Sequence, residues 1–196
     1  MIVLPTTPSP ADLAWSKASN DHADLTPLLP GETTRLFRNG RGKRSVTATM
    51  PKMRNQDAIA WIADLESAGE VTLRLPQPGV DTTGAGVVRV NGANQVGTTL
   101  NVDGLPAGHV LKKGRLLSLT AGGVSFCYRL ATQAVANGGG AAALLLTTPI
   151  RRSPADNEVV EVENPVIAGL LGGDAGNWTL EVARTVGLVF TVSERV

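Results

Sequence analysis

The chain has 196 residues, a formal net charge of +1 and a single cysteine, Cys127. One cysteine excludes an intrachain disulfide, and a near-neutral balance gives no global electrostatic case for nucleic acid or an anionic membrane. Hydrophobic residues make up 42%, enough to bury a sizeable core without metal or cross-links.

Charged residues are only 18%, against roughly 25% in an average soluble domain. Such a surface suits a subunit partly covered by partners. No stretch approaches the roughly 20 apolar residues that span a bilayer. The start, MIVLPTTPSPADLAW, lacks the basic opening and long apolar run of a signal peptide. These two readings point to a cytoplasmic product with no membrane partner. Aromatics are 4%, with 22 Gly and 12 Pro. Interspersed with Val, Thr and Leu, they predict a mainly β chain of short strands and tight turns.

Residues 1–30 carry Pro5, Pro8, Pro10, Pro27 and Pro30. Proline removes backbone donors, so this part reads as an extended arm with one or two short strands, the first at Met1–Leu4. Thr33–Arg38 and Ser45–Met50 flank Asn39-Gly40, a strong hairpin-turn signal. Val46, Ala48 and Met50 fall on one face by period two. The loop between these strands holds Arg38, Arg41, Lys43 and Arg44.

Residues 55–68, NQDAIAWIADLESA, give the one convincing helix. Asn55 is the expected cap. Ala58, Ile62 and Leu65 form a stripe that Trp61 and Ala68 widen, and Gly69 suits a stop. A strand follows at Val71, Leu73 and Leu75, ending at Pro76. Residues 76–86 read as a linker. Beyond it, 87–91, 98–102, 116–120, 124–131, 143–148 and 158–163 read as strands between Gly- and Asn-rich turns, a compact small barrel or sandwich. Asn164-Pro165 closes it. In the last piece Trp178, Leu180, Val182, Val186, Leu188, Phe190 and Val192 occupy even positions. This predicts one long strand, or two with a bend near Gly187. The layout is a β domain over 1–78 plus 166–196, interrupted by a β module over 79–165.

No residue set points to catalysis, a cofactor or a metal. His22 and His109 are far apart and share no ligand spacing with Cys127. Cys127 alternates with Ser125 and Arg129, while Phe126 and Tyr128 face the other way; this reads as an inert strand thiol. Gly84-Ala85-Gly86 and Gly138–Gly140 lack a phosphate-loop pattern and read as turns. Asp156, Glu158, Glu161 and Glu163 could hold a hard cation, but fit better the exposed side of a strand whose Val160 and Val162 point inward. The basic loop Arg38, Arg41, Lys43 and Arg44 is the sharpest charge feature. It suits a solvated hairpin tip or a subunit contact, with nucleic acid backbone a third reading.

Several segments resemble tail proteins of long-tailed bacteriophages and prophages. They are Val90-Asn91-Gly92-Ala93-Asn94-Gln95-Val96-Gly97-Thr98-Thr99-Leu100, Val102-Asp103-Gly104-Leu105-Pro106, Leu111–Leu119 and Pro149-Ile150-Arg151-Arg152-Ser153-Pro154. Trp178 and Phe190–Glu194 fit the same pattern. The resemblance covers mainly 88–196. Arg115 departs from it, standing where an Asp is common. The resemblance implies a distal tail protein with a tail-tube-like β-sandwich, one flanking helix and an inserted β module. It implies a structural virion component and not an enzyme: a ring, usually a hexamer, joining the tail tube to the baseplate or tip. The implied partners are the tube protein and the hub or tip proteins, with DNA passing through the lumen unrecognised. The implied location is the virion tail, after assembly in the host cytoplasm. A tail tube, tail terminator or capsid-decorating subunit is a second reading, and a carbohydrate-binding attachment module a third.

Overall fold

The computed structural model describes residues 1–17, 22–25, 34–37, 44–81, 83–172, 178–180 and 185–194. In chain order the elements are β1 (Ile2–Val3), β2 (Asp12–Lys17), β3 (His22–Leu25), β4 (Thr34–Phe37), β5 (Arg44–Thr49), β6 (Met53–Arg54), α1 (Asn55–Ser67) and β7 (Glu70–Arg74). There follow β8 (Arg89–Val90), β9 (Thr99–Asp103), β10 (Val110–Leu111), β11 (Leu116–Ala121), β12 (Val124–Arg129), β13 (Ala134–Val135), β14 (Ala142–Leu145) and β15 (Val160–Glu161). The last are β16 (Val166–Leu171), β17 (Trp178–Leu180) and β18 (Thr185–Glu194). The fold is mainly β with one helix, as the composition predicts.

The largest sheet runs β1-β7-β16-β18-β5-β2. Its strands come from the two ends of the chain. At its centre β18 lies antiparallel to β5 and β16, while its first residues pair with β6 and β17. Register explains the core. Phe190 sits opposite Ala48 and Val192 opposite Val46; Ile167 sits opposite Leu73. All six are buried, and half-buried Ser45, Thr47 and Thr49 alternate with the buried residues of β5. This is the period-two pattern of a sheet with one covered face.

Helix α1 covers part of that face with Ala58, Trp61 and Leu65. The Trp61 ring lies 6.1 Å from that of Phe190. Trp61 Nε1–H also donates to the Thr7 carbonyl at 3.3 Å, so the proline-rich arm passes beside the helix between β1 and β2. The expected Asn55 cap is a correction: Asn55 is already helical, and the N-cap Arg54 makes no side-chain capping bond.

Residues 79–165 supply three further sheets, β10-β13, β12-β11-β15 and β14-β9-β8. They wrap one apolar cluster that includes Leu100, Leu117, Leu119, Tyr128 and Leu144. Of the two expected forms, the barrel is not realised: β13 and β14 lie side by side, joined by the turn Asn137–Gly140, yet each forms a ladder only with its other neighbour. The tip of the β11–β12 hairpin is Gly122-Gly123, both at positive φ.

Four other differences have local causes. The Asn39-Gly40 signal predicts pairing of the strands around it, but both edges of β5 are taken by β18 and β2, and β4 pairs with β3. The residues of that turn lie outside the described ones. The arm holds three strands where one or two were expected, because Asp12–Lys17 and His22–Leu25 lie in the proline-free stretch after Pro10. Strand β16 hides in VIAGLLGG, where small residues mask alternation; Gly169 is required there, because a Cβ would lie 2.0 Å from the Ser193 carbonyl oxygen. The two-residue strands β10 and β13 are too short to leave a periodic signal.

Candidate functional site

Strand β12 faces two ways. Phe126 and Tyr128 enter the core of the inserted module, while Cys127 joins Leu116 in the core of the large sheet. This is the alternation the sequence implies, with each face buried by a different module.

The joint is closed by polar groups around Glu194. Alternation along β18 places Leu188, Phe190 and Val192 inward, and the next inward position is a carboxylate, 1% exposed. A buried charge is costly unless paired and hydrogen-bonded. Here Glu194 Oε1 accepts the Cys127 N–H at 3.0 Å and Oε2 accepts the Arg44 N–H at 3.1 Å. Arg151 Nη1 stands 2.7 Å from Oε2, its side chain 6% exposed. Arg44 extends the link: its Nη1 donates to the Cys127 carbonyl and its Nη2 to Thr147 Oγ1, both at 3.1 Å. Arg151 packs over the Tyr128 ring at 5.7 Å and donates its backbone N–H to the Tyr128 hydroxyl. One carboxylate from the outer module thus gathers backbone and guanidinium donors from both.

Two other ties flank this centre. The Gln77 amide, in the entry linker, accepts the Leu116 N–H at 2.8 Å and donates to the Leu116 carbonyl at 3.4 Å. Arg129 sits over the Trp15 ring at 5.7 Å, linking β12 to the edge strand β2.

Of the basic loop, Arg44 is described and commits its guanidinium within the chain. Arg38, Arg41 and Lys43 lie outside the described residues. Burial, reinforced by the Glu194 charge, pushes the Cys127 thiol up to about 12. A thiol so held is a poor nucleophile near neutrality. Burial also raises the Tyr128 hydroxyl. Arg115, 3% exposed, donates to the Val162 carbonyl from Nε and Nη2. At the position of the departure from the tail pattern, an arginine therefore ties β11 to the end of β15.

The four carboxylates near the end of the inserted module act as backbone acceptors. Asp156 takes Gly92 N–H, Glu158 takes Gly122 and Ala155, Glu161 takes Glu163 and Asn164, and Glu163 takes Ala85. Val160 and Val162 are buried between them. Among the described residues no group of three His, Cys, Asp or Glu side chains could hold a metal ion. His109 is half-buried before β10, and the His22 side chain lies outside the described ones. Among the described residues no helix is long and apolar enough to cross a membrane.

Sequence reasoning assigned no role to Glu194 or Arg151. Both carried a signal: Glu194 continues the even-numbered inward series, and Arg151 lies in the Pro149–Pro154 turn of the tail-like pattern. Scanned against protein-family models the chain matches none, and no curated protein matches it.

Proposed function

We propose that this chain is a structural subunit of a phage-type tail, a distal tail protein that forms a ring between the tail tube and the baseplate or tip. The observation that supports this best is the pair of unlike edges on the large sheet. Among the described residues strand β1 ends one side and β2 the other. Pairing is parallel between β1 and β7 and antiparallel at each step from there to β2. The four reversals leave β1 and β2 running the same way. A contact between β1 of one copy and β2 of the next is head-to-tail, the kind that closes rings, and strand addition supplies its hydrogen bonds. Val3 on β1 is 72% exposed and Trp15 on β2 37%, so both edges carry apolar surface. The joint at Glu194 fixes the inserted module against the ring-forming sheet. In this reading the ring is a hexamer, its partners are the tube and the hub or tip proteins, and DNA passes its lumen without being recognised.

Negative-stain electron microscopy of the purified protein, with labelling of this chain in assembled particles, tests the proposal. Rings in solution and one ring at the tail end are expected. Stacked rings along the tail would make it a tube subunit instead. A protein monomeric at high concentration and absent from particles ends the reading.

A further inference from the structure

Asn-Gly occurs three times, at 39–40, 91–92 and 137–138. In such a pair the nitrogen of the following peptide can close a five-membered ring on the asparagine amide carbon. Glycine leaves that nitrogen unshielded, because it has no Cβ. The sites differ in how the structure holds the reacting atoms. Residues 39–40 lie outside the described ones. Asn137 opens the exposed turn between β13 and β14. Its backbone is fixed on both sides: its N–H donates to the Ala141 carbonyl at 2.9 Å, and its carbonyl accepts the Gly140 N–H at 3.0 Å. Its side-chain Oδ1 accepts two more backbone N–H groups, of Gly139 at 2.9 Å and of Ala141 at 3.0 Å. An oxygen held by residues two and four positions ahead carries the amide carbon forward over the Gly138 peptide. Gly138 is itself exposed, and its N–H makes no hydrogen bond within the described residues. Asn91 is built the other way. The Gly92 N–H is taken by Asp156 Oδ1 at 2.8 Å, and among the described residues no N–H is directed at Asn91 Oδ1.

We infer that Asn137 is a self-modifying site, losing its side-chain amide by reaction with its own backbone. The Gly138 nitrogen attacks Asn137 Cγ, and its proton passes through solvent to the departing NH₂. The N–Cγ bond forms, the Cγ–NH₂ bond breaks, and ammonia leaves behind a succinimide. Water then opens that ring at either carbonyl, giving aspartate or isoaspartate. No oxidant, cofactor or second protein enters. Negative charge develops on Oδ1 in the tetrahedral step. Two N–H groups already pointing at that oxygen are the arrangement that stabilises an oxyanion. The fixed turn also lowers the entropy cost of bringing Cγ to the nitrogen. The product sets a carboxylate into residues 130–150, a stretch without one charged side chain. Its isoaspartyl form also adds a main-chain atom to a turn that is tied to the core by the Leu105 N–H to Gly140 carbonyl bond at 3.1 Å. The surface of the inserted module therefore changes with age. This does not rest on the ring reading.

The test incubates the full-length protein at mildly alkaline pH, folded in buffer and unfolded in guanidinium chloride, with samples taken over time. Tryptic peptides separate the sites: Asn137 is the only asparagine in 130–151, and Asn91 falls in 90–112. Mass spectrometry follows the replacement of NH₂ by OH, and fragmentation places it. Asn137 is expected to react about tenfold faster folded than unfolded, a modest share of the roughly 10²–10³ that one oxyanion donor contributes inside an enzyme. Asn91 is expected to react more slowly folded than unfolded. Gly138→Val shields the attacking nitrogen and should suppress the reaction at Asn137, with unchanged circular dichroism. A folded rate at Asn137 equal to or below the unfolded one would overturn the inference, as would Asn91 keeping pace with Asn137 in the folded protein. Reaction of Asn137 at the wild-type rate in Gly138→Val would also overturn it, since the backbone nitrogen would then not be the attacking atom. None of these outcomes bears on whether the protein forms rings.

Discussion

Glu194 and Arg151 meet at 2.7 Å across the boundary between the large sheet and the inserted module, with both side chains almost wholly buried. The carboxylate comes from the last turn of the alternation in β18, the guanidinium from the loop after β14. Their pairing is not isolated, because the same carboxylate accepts the N–H groups of Cys127 and Arg44. A buried ion pair of two side chains can often be exchanged for apolar residues at little cost. This one cannot, since removing it strands two backbone donors as well.

Glu194→Ala is expected to cost about 3–5 kcal/mol, the loss typical of breaking one partner out of a buried pair. Glu194→Gln should be nearly as damaging. Its amide keeps one acceptor but sets an NH₂ against donors already in place. Arg151→Met should cost less, because Glu194 retains two N–H partners. Urea unfolding followed by Trp fluorescence checks the order. Comparable losses for Arg151→Met and Glu194→Ala would show that the backbone donors contribute little.

The Cys127 thiol yields a pH dependence with a definite sign. Its folded value, about 12, lies well above that of an ordinary thiol, near 9.0. The folded state therefore holds this proton more tightly. The stabilisation is complete below pH 9 and is lost as pH rises toward 12, on the order of 4 kcal/mol over that window. Tyr128 is displaced in the same direction, so the slope must be compared between wild type and Cys127→Ala. The variant should lose stability less steeply above pH 9. In the native protein Cys127 should resist a thiol reagent at pH 8 that labels it at once in guanidinium chloride.

The parts of this fold that were legible in the sequence are those where apolar residues recur at a fixed period. Alternation marked Val46 and Ala48 in β5, Val71 and Leu73 in β7, and Leu188 to Val192 in β18. Helical spacing marked Ala58, Trp61 and Leu65. Alternation also placed Phe126 and Tyr128 opposite Cys127. Pairing was less visible, because an edge already occupied leaves no local trace: Asn39-Gly40 reads as a hairpin turn although β5 has β18 and β2 for neighbours. The joint was hidden for a different reason. Its members, Arg44, Cys127, Arg151 and Glu194, are scattered over 150 residues, and each has an innocuous local reading. Only the tertiary placement of β12 against β16 and β18 makes them one group.

Gly169 is predicted to be irreplaceable by alanine. Its Cβ would fall 2.0 Å from the Ser193 carbonyl oxygen and 2.9 Å from the Glu194 Cα, both backbone atoms that cannot rotate away. β16 would have to leave β18, breaking the sheet between its two halves. A loss above about 3 kcal/mol, or failure to fold, is expected of Gly169→Ala. Gly187→Ala is the matched control: nothing lies within 4 Å of its Cβ position, and stability should change by less than about 1 kcal/mol. Equal behaviour of the two variants in thermal unfolding would contradict the packing of β16 on β18.

The proposed ring can be separated from the stability of its subunit by working on the free edge. Val3 is 72% exposed on a strand that, among the described residues, pairs only with β7. Val3→Lys should therefore change the stability of the isolated chain by less than about 0.5 kcal/mol. Yet a lysine on an edge strand is an effective block to further strand addition. If β1 of one copy meets β2 of the next, this variant should fold normally and sediment as a monomer under conditions where the wild type assembles. Trp15 supplies an independent signal. It lies on the opposite edge and is 37% exposed, whereas Trp61 is 1% exposed, so assembly should protect Trp15 from an aqueous quencher while leaving Trp61 unaffected. Rings that form equally well with Val3→Lys, with Trp15 still quenched, would place the subunit contact elsewhere on the molecule.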